Sequence, residues 1–200
     1  MYEFTEDWFS ANTGEQTELI FEHHLSKYAG KPCNFLEIGS FEGRSAIWML
    51  ENILTNPESR LVCIDRWASW TNDSFLRLAK NLYTSGHKDK VDIIKGKSQD
   101  YTRLLPKNSF DFIYVDGDHS PQAILQDAII CFGLLKIGGI MAMDDYMIGY
   151  KYPDSPGSLA LEEKPKTTID FFVQLFKDRL EVIHKDYQIW LTKTGEGVCR

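Results

Sequence analysis

Five residues able to do proton or metal chemistry stand at the ends of two apolar runs: Asp116, Asp118, His119, Asp144 and Asp145. The runs are FDFIYVDGDH (110–119) and IMAMDDY (140–146). Between the runs lies SPQAILQDAIICFGLLKIGG, a helix-length segment that ends in a Gly-Gly turn. If the runs are neighbouring parallel strands, both acidic ends lie on one edge of the sheet, where open α/β sheets bind ligands. Carboxylates that converge there repel one another unless a cation or protons intervene. The pattern points to an active site and to a metal ion. His119 adds a side chain whose ordinary pKa lies near neutrality.

The elements that must position these residues follow an alternating rhythm. A helix is expected over Glu15–Tyr28, strands over Cys33–Ile38, Leu61–Asp65, Val91–Lys95, Phe110–Asp116 and Ile140–Asp144, and helices over Arg44–Leu54, Asp73–Thr84, Ser98–Leu105 and Pro121–Leu135. Such alternation predicts a parallel sheet covered by helices on both faces. After Asp145 the order changes. Residues 145–164 are rich in Gly, Pro, Ser and Tyr and read as a lid or substrate loop, or as a connector without a role. A helix over Pro165–Asp178 and two closing strands, Leu180–Lys185 and Tyr187–Thr192, complete the chain as an antiparallel pair. The whole reads as a single domain over 1–200, with an N-terminal extension and helix over 1–30 and a core over 33–146.

Three of the other strand ends carry weaker signals. Gly39 and Gly43 frame a turn in LEIGSFEG that lets backbone approach a ligand and opens a helix whose N-terminus favours negative charge. The spacing is not the GxGxxG of a dinucleotide site, so a nicotinamide oxidoreductase is a distant reading. Asp65 ends the second strand, where a carboxylate suits a ribose diol or serves as a cap. Arg66, Trp67 and Trp70 follow and could wall a pocket or cover the core. Ser98 and Gln99 follow the third strand, where Ser98 could cap a helix or contact a purine. Each is ordinary alone; their succession in order is not.

At this point the chain resembles a class I S-adenosylmethionine-dependent methyltransferase. It is most similar to the small metal-dependent O-methyltransferases of the catechol and caffeoyl-CoA type and to the related bacterial natural-product group. The resemblance covers about Gly30–Tyr146 and implies a Rossmann-like, seven-stranded, mostly parallel sheet with an antiparallel C-terminal pair. It implies that Glu37 and Gly39 lie near the cofactor's methionine part, that Ser40, Gly43 and Ser45 also line the cofactor, that Asp65, with Arg66 and Trp67 beside it, holds the ribose, and that Ser98 and Gln99 lie by the adenine. It places Asp116 at the cofactor as well, and matches Asp116, Asp144 and Asp145 to a metal triad that usually reads Asp, Asp, Asn. Asp145 thus departs from the pattern, and so does His119, which stands where the catechol and caffeoyl enzymes carry a catalytic Lys.

The implied reaction is O-methylation of a small hydroxylated acceptor. A divalent ion lowers the pKa of a coordinated hydroxyl. Three aspartates offer only hard oxygen ligands, which suits Mg²⁺ and disfavours zinc. His119 is then a general base or a bystander beside Asp118, and Asp116 shares the catalytic centre. Two other readings remain open: a metal-independent methyltransferase that relies on His119, and a cofactor-binding module without turnover.

Composition narrows the partners. Net charge is −7 from 22 basic and 29 acidic residues, and no basic run offers a phosphate-tracking stripe, which argues against nucleic acid. No apolar run reaches membrane-spanning length and no signal peptide is visible. Cys33, Cys63, Cys131 and Cys199 show neither zinc spacing nor CxxC, so reduced thiols in a cytoplasmic protein are expected. A homo-oligomer is compatible with the sequence. Trp8 and Phe9, ahead of any regular element, suggest a cover for the site, a packing strap or a dimer contact.

Overall fold

The computed structural model describes residues 1–10, 16–68, 73–148, 150 and 164–196. Its seven-stranded sheet has the order β3-β2-β1-β4-β5-β7-β6. The strands are β1 (Asn34–Ile38), β2 (Arg60–Asp65), β3 (Val91–Lys95), β4 (Phe110–Val115), β5 (Leu135–Met143), β6 (Leu180–Lys185) and β7 (Ile189–Lys193). Pairs β1–β2, β2–β3 and β4–β5 are parallel, and β7 runs antiparallel to both β5 and β6. This is the Rossmann-like sheet expected, with the C-terminal pair in place. The helices around it are α1 (Thr17–Leu25), α2 (Arg44–Asn52), α3 (Asp73–Ser85), α4 (Ser98–Tyr101), α5 (Pro121–Leu134) and α6 (Pro165–Phe176).

The chain divides into two compact units, Met1–Gly96 and Lys97–Arg200. In the first, β1 is buried along almost its whole length, so its residues are apolar except Glu37 and the half-buried Asn34 at its start. Parallel strands covered on both sides demand such runs. The N-terminal segment of this unit is a strap. Glu42 is 2% exposed, and its carboxylate accepts the Thr5 N–H at 2.6 Å, the Thr5 hydroxyl at 2.9 Å and Arg77 Nη1 at 3.0 Å. Asn81 exchanges hydrogen bonds with the backbone of Glu3, and Phe9 packs edge-on to Phe21.

In the second unit, α5 packs on β4 and β5 and buries Ile124, Ala128 and Cys131, while Phe132 meets Phe172 and Phe176 of α6. The end of this helix differs from expectation. The Gly138-Gly139 pair is not a turn ahead of the strand but a bulge inside β5, which starts at Leu135: the pairing with β4 jumps from Phe110–Leu135 to Phe112–Ile140. Gly138 has φ +81°, which an L side chain tolerates poorly. The buried Lys193 ammonium donates to the Leu135 carbonyl at 2.8 Å and so satisfies backbone freed at the bulge. The last strand begins two residues later than expected, because residues 186–188 make the hairpin turn, with Asp186 N–H donating to the Gln188 carbonyl at 2.9 Å. Cys33, Cys63 and Cys131 are buried. Cys199, Trp70 and most of the 145–164 loop lie outside the described residues. No helix among the described residues is long and apolar enough to cross a membrane.

Candidate active site

The first unit builds its part of the site around the turn after β1. Gly39 (φ +88°) and Gly43 (φ +82°) bracket Phe41, which itself sits at φ +46°. A Cβ on Gly43 would come within 2.4 Å of Leu78 Cδ1, the end of a flexible side chain, and the φ of +82° strains any L side chain there. Asp65, at the end of β2, accepts the Phe41 N–H at 2.8 Å on Oδ2 and the Trp67 N–H at 2.8 Å on Oδ1. Trp67 (φ +39°) is 7% exposed and donates its indole N–H to the Phe41 carbonyl at 2.8 Å. The two bulky residues in left-handed backbone are therefore held by one carboxylate and one indole. Strain of this kind persists only where surrounding bonds over-determine it, and it collects at functional sites. Arg66 is exposed.

Glu37 is fully buried on β1, and burial raises its pKa. Ser45 donates to one carboxylate oxygen, and the Cys63 thiol lies 3.7 Å from the other. Ser40 Oγ is buried without a well-formed hydrogen bond, although it lies close enough to Glu37 to help hold the charge. A buried hydroxyl in that condition is a group a ligand could satisfy.

The second unit holds the acidic residues. The parallel pairing of β4 and β5 puts Val115 opposite Met143, and the Asp144 N–H extends the ladder to the Val115 carbonyl at 3.0 Å. Asp116 and Asp144 thus leave neighbouring strand ends together, as the spacing predicts. Asp144 Oδ2 accepts the Tyr114 hydroxyl and, at 3.0 Å, Gln188 Nε2; Trp190 Nε1 holds the far side of Gln188 at 2.9 Å. Burial, reinforced by the charge of Asp145, pushes the Asp144 carboxyl up to about 6. Asp145 sits at φ +55° and turns its side chain elsewhere: Oδ1 accepts the Tyr187 hydroxyl at 2.9 Å, and Oδ2 lies 2.8 Å from His119 Nδ1. That bond raises the His119 pKa, against the opposing effect of burial.

One ligand atom each from Asp116, His119 and Asp145 lies within 4.8 Å of the others. The arrangement brings His119 into a cluster where sequence reasoning placed Asp144. Asp118 is exposed and accepts the Ser120 N–H at 2.9 Å in the turn ahead of α5. Ser98 and Gln99 both bond to Asp127 of α5. Sequence reasoning missed Tyr114, Asp127, Tyr187 and Gln188. Asp127 had a visible signal: it is the only acid in an apolar stripe that includes Ile124, Ala128 and Cys131.

Comparison with known proteins agrees with this geometry. Residues 36–146 match the methyltransferase domain family. The chain is 29% identical over 133 residues to the uncharacterised protein R132 of Acanthamoeba polyphaga mimivirus, covering 64% of this chain and 58% of that one. It is 27% identical over 115 residues to a catechol O-methyltransferase of Mycobacterium tuberculosis, covering 57% and 48%. Thus it spans about half the length of these curated relatives. Among solved structures, the O-methyltransferase TomG of Streptomyces achromogenes, in complex with SAM, shares the fold with a TM-score of 0.65 at 22% identity, covering 92% of this chain and 81% of that one. The matched region runs from the β1 turn to the acidic end of β5, so the chain belongs to the methyltransferase domain family and carries its Rossmann-like class I fold.

Proposed function

We propose that the chain is an S-adenosylmethionine-dependent O-methyltransferase acting on a small hydroxylated acceptor. The observation that carries this reading is the His119–Asp145 pair beside Asp116. With Nδ1 donating to Asp145, Nε2 is the ring nitrogen left to take a proton, and Asp145 stabilises the imidazolium that results. Such a pair is suited to removing the proton of an acceptor hydroxyl as it attacks a methyl group. Asp65, whose carboxylate is fixed by two backbone N–H groups, would accept the ribose hydroxyls. Glu37, Ser40 and Ser45 would line the methionine end, and Ser98 and Gln99 the adenine. The bound cofactor supplies a methyl group activated on a sulfonium.

Asp116 and Asp145 offer hard oxygens to a divalent cation such as Mg²⁺. Asp144 is retained as a third ligand because, among the described residues, its Oδ1 accepts the Asp145 N–H, at 2.7 Å, and keeps a second lone pair. Its raised pKa is the response of a carboxyl that lacks a compensating positive charge. A bound cation would lower the pKa of the acceptor hydroxyl. A second reading has its own support: the His119–Asp145 pair is complete by itself, so His119 could act without a metal. Methyl transfer from S-adenosylmethionine to catechol and a panel of small phenols and sugars, with and without EDTA, separates the two. Loss of turnover in EDTA, restored by Mg²⁺, supports the metal; full turnover in EDTA favours His119 alone. No transfer to any acceptor, together with tight S-adenosylhomocysteine binding, points to a module without turnover.

A further inference from the structure

We propose that Asp127 is a positioning residue that fixes the orientation of the Gln99 amide, so that the site selects an aminopurine cofactor. The inference rests on the proposed placement of Ser98 and Gln99 by the adenine.

Asp127 is 1% exposed on α5. Its Oδ1 and Oδ2 lie 2.8 and 3.0 Å from Ser98 Oγ, and Oδ1 lies 2.9 Å from Gln99 Nε2. A carboxylate accepts and cannot donate. Ser98 must therefore donate its hydroxyl proton, and Gln99 must turn its NH₂ toward Asp127. That turns Oε1 away from Asp127, as the acceptor the amide can offer a ligand. The backbone of the pair is held as well: Thr102 Oγ1 donates to the Ser98 carbonyl at 2.7 Å and Arg103 Nε to the Gln99 carbonyl at 3.1 Å.

A simple tie between α4 and α5 would not need an acid. The Asp127 bonds described above come from neutral groups, and burying a charge on such terms is costly. Burial pushes its carboxyl up to about 6, so it is still mostly ionised at neutral pH. An asparagine would make the tie at lower cost, but its amide donates as well as accepts, and Gln99 could then sit either way round. Only an acceptor without protons makes the Gln99 orientation unique. An outward carbonyl oxygen accepts from the exocyclic amine of adenine and repels the carbonyl of hypoxanthine.

Calorimetric titration with S-adenosylhomocysteine and S-inosylhomocysteine tests this. The parent should prefer the adenine compound by about tenfold or more, the scale of one hydrogen bond turned into a mismatch. In Asp127→Asn the preference should narrow to about threefold or less, through weaker adenine binding and equal or tighter hypoxanthine binding. Asp127→Ser carries the same test if the asparagine variant does not fold by circular dichroism. Gln99→Met should narrow the preference with Asp127 intact. Equal losses for both ligands, or an unchanged ratio in the Asp127 variants, would reduce Asp127 to a structural tie and overturn the inference. A parent that binds neither ligand removes the cofactor reading itself, and this inference with it.

Discussion

The two units hold their carboxylates by different means. In Met1–Gly96, Asp65 is fixed by the backbone N–H groups of Phe41 and Trp67, donors that never titrate. In Lys97–Arg200, Asp144 and Asp145 are held by side-chain donors, Tyr114, Gln188, Tyr187 and His119, of which the His119 ring titrates nearest neutrality. Backbone donors make a rigid acceptor pair of one fixed charge, which suits recognition of a diol. Adjacent carboxylates with an imidazole beside them make a site whose charge responds to a proton or a cation, which suits chemistry. The contrast predicts that damage to the first region lowers affinity and damage to the second lowers turnover.

The largest effect should come from His119→Gln. Loss of a general base typically lowers kcat by about 10²–10⁴-fold. Binding of S-adenosylhomocysteine, read by calorimetry, should stay within about twofold of the parent, because the variant leaves the cofactor residues untouched. Turnover retained within about tenfold would make His119 a bystander and erase the contrast.

Asp65→Ala should do the reverse. Removing a charged acceptor worth about 1.5–3 kcal/mol per bond should weaken S-adenosylhomocysteine binding by about 10–100-fold. Mg²⁺ binding, followed by calorimetry, should be unchanged. Parent-like cofactor affinity in this variant means the ribose lies elsewhere.

A pH profile sharpens the comparison further. The His119 pKa is raised above 6.5, chiefly by its bond to Asp145. The neutral ring is the active base, so kcat should rise with pH along a limb whose midpoint lies above 6.5. For stability the sign is opposite: the protonated ring's bond to Asp145 contributes fully below 6.5 and is lost as pH climbs through the raised value. Asp145→Asn should move the kinetic limb downward. A limb that stays in place assigns it to another group.

The smallest effect is expected from the strap. Glu42→Gln keeps the shape but leaves Arg77, 24% exposed, without its buried partner. A cost of about 1–2 kcal/mol is expected, seen as a melting temperature lower by several degrees. S-adenosylhomocysteine affinity should fall by no more than about threefold, since Phe41 remains anchored through Asp65 and Trp67. A larger loss would show that the strap sets the cofactor turn.

Much of this architecture is legible in the chain itself. Apolar runs ending in Gly39, Asp65, Asp116 and Asp144 mark four of the strands, paired in parallel as β1–β2 and β4–β5, because a covered parallel sheet requires near-continuous burial along each strand. The bulge at Gly138-Gly139 was not legible: a glycine pair reads as a turn until the β4 register shows where pairing resumes. The partners of the site residues were equally hidden. Gln188 meets Asp144, and Asp127 meets Ser98, across 44 and 29 positions of sequence. Sequence alone determined which residue types stand at the strand ends, since periodicity and turn chemistry are local. Only the tertiary structure decided that Asp144 turns to Tyr114 and Gln188 while Asp145, in left-handed backbone, turns to His119. That choice depends on donors brought from distant strands, and hydrogen bonds act through space rather than along the chain.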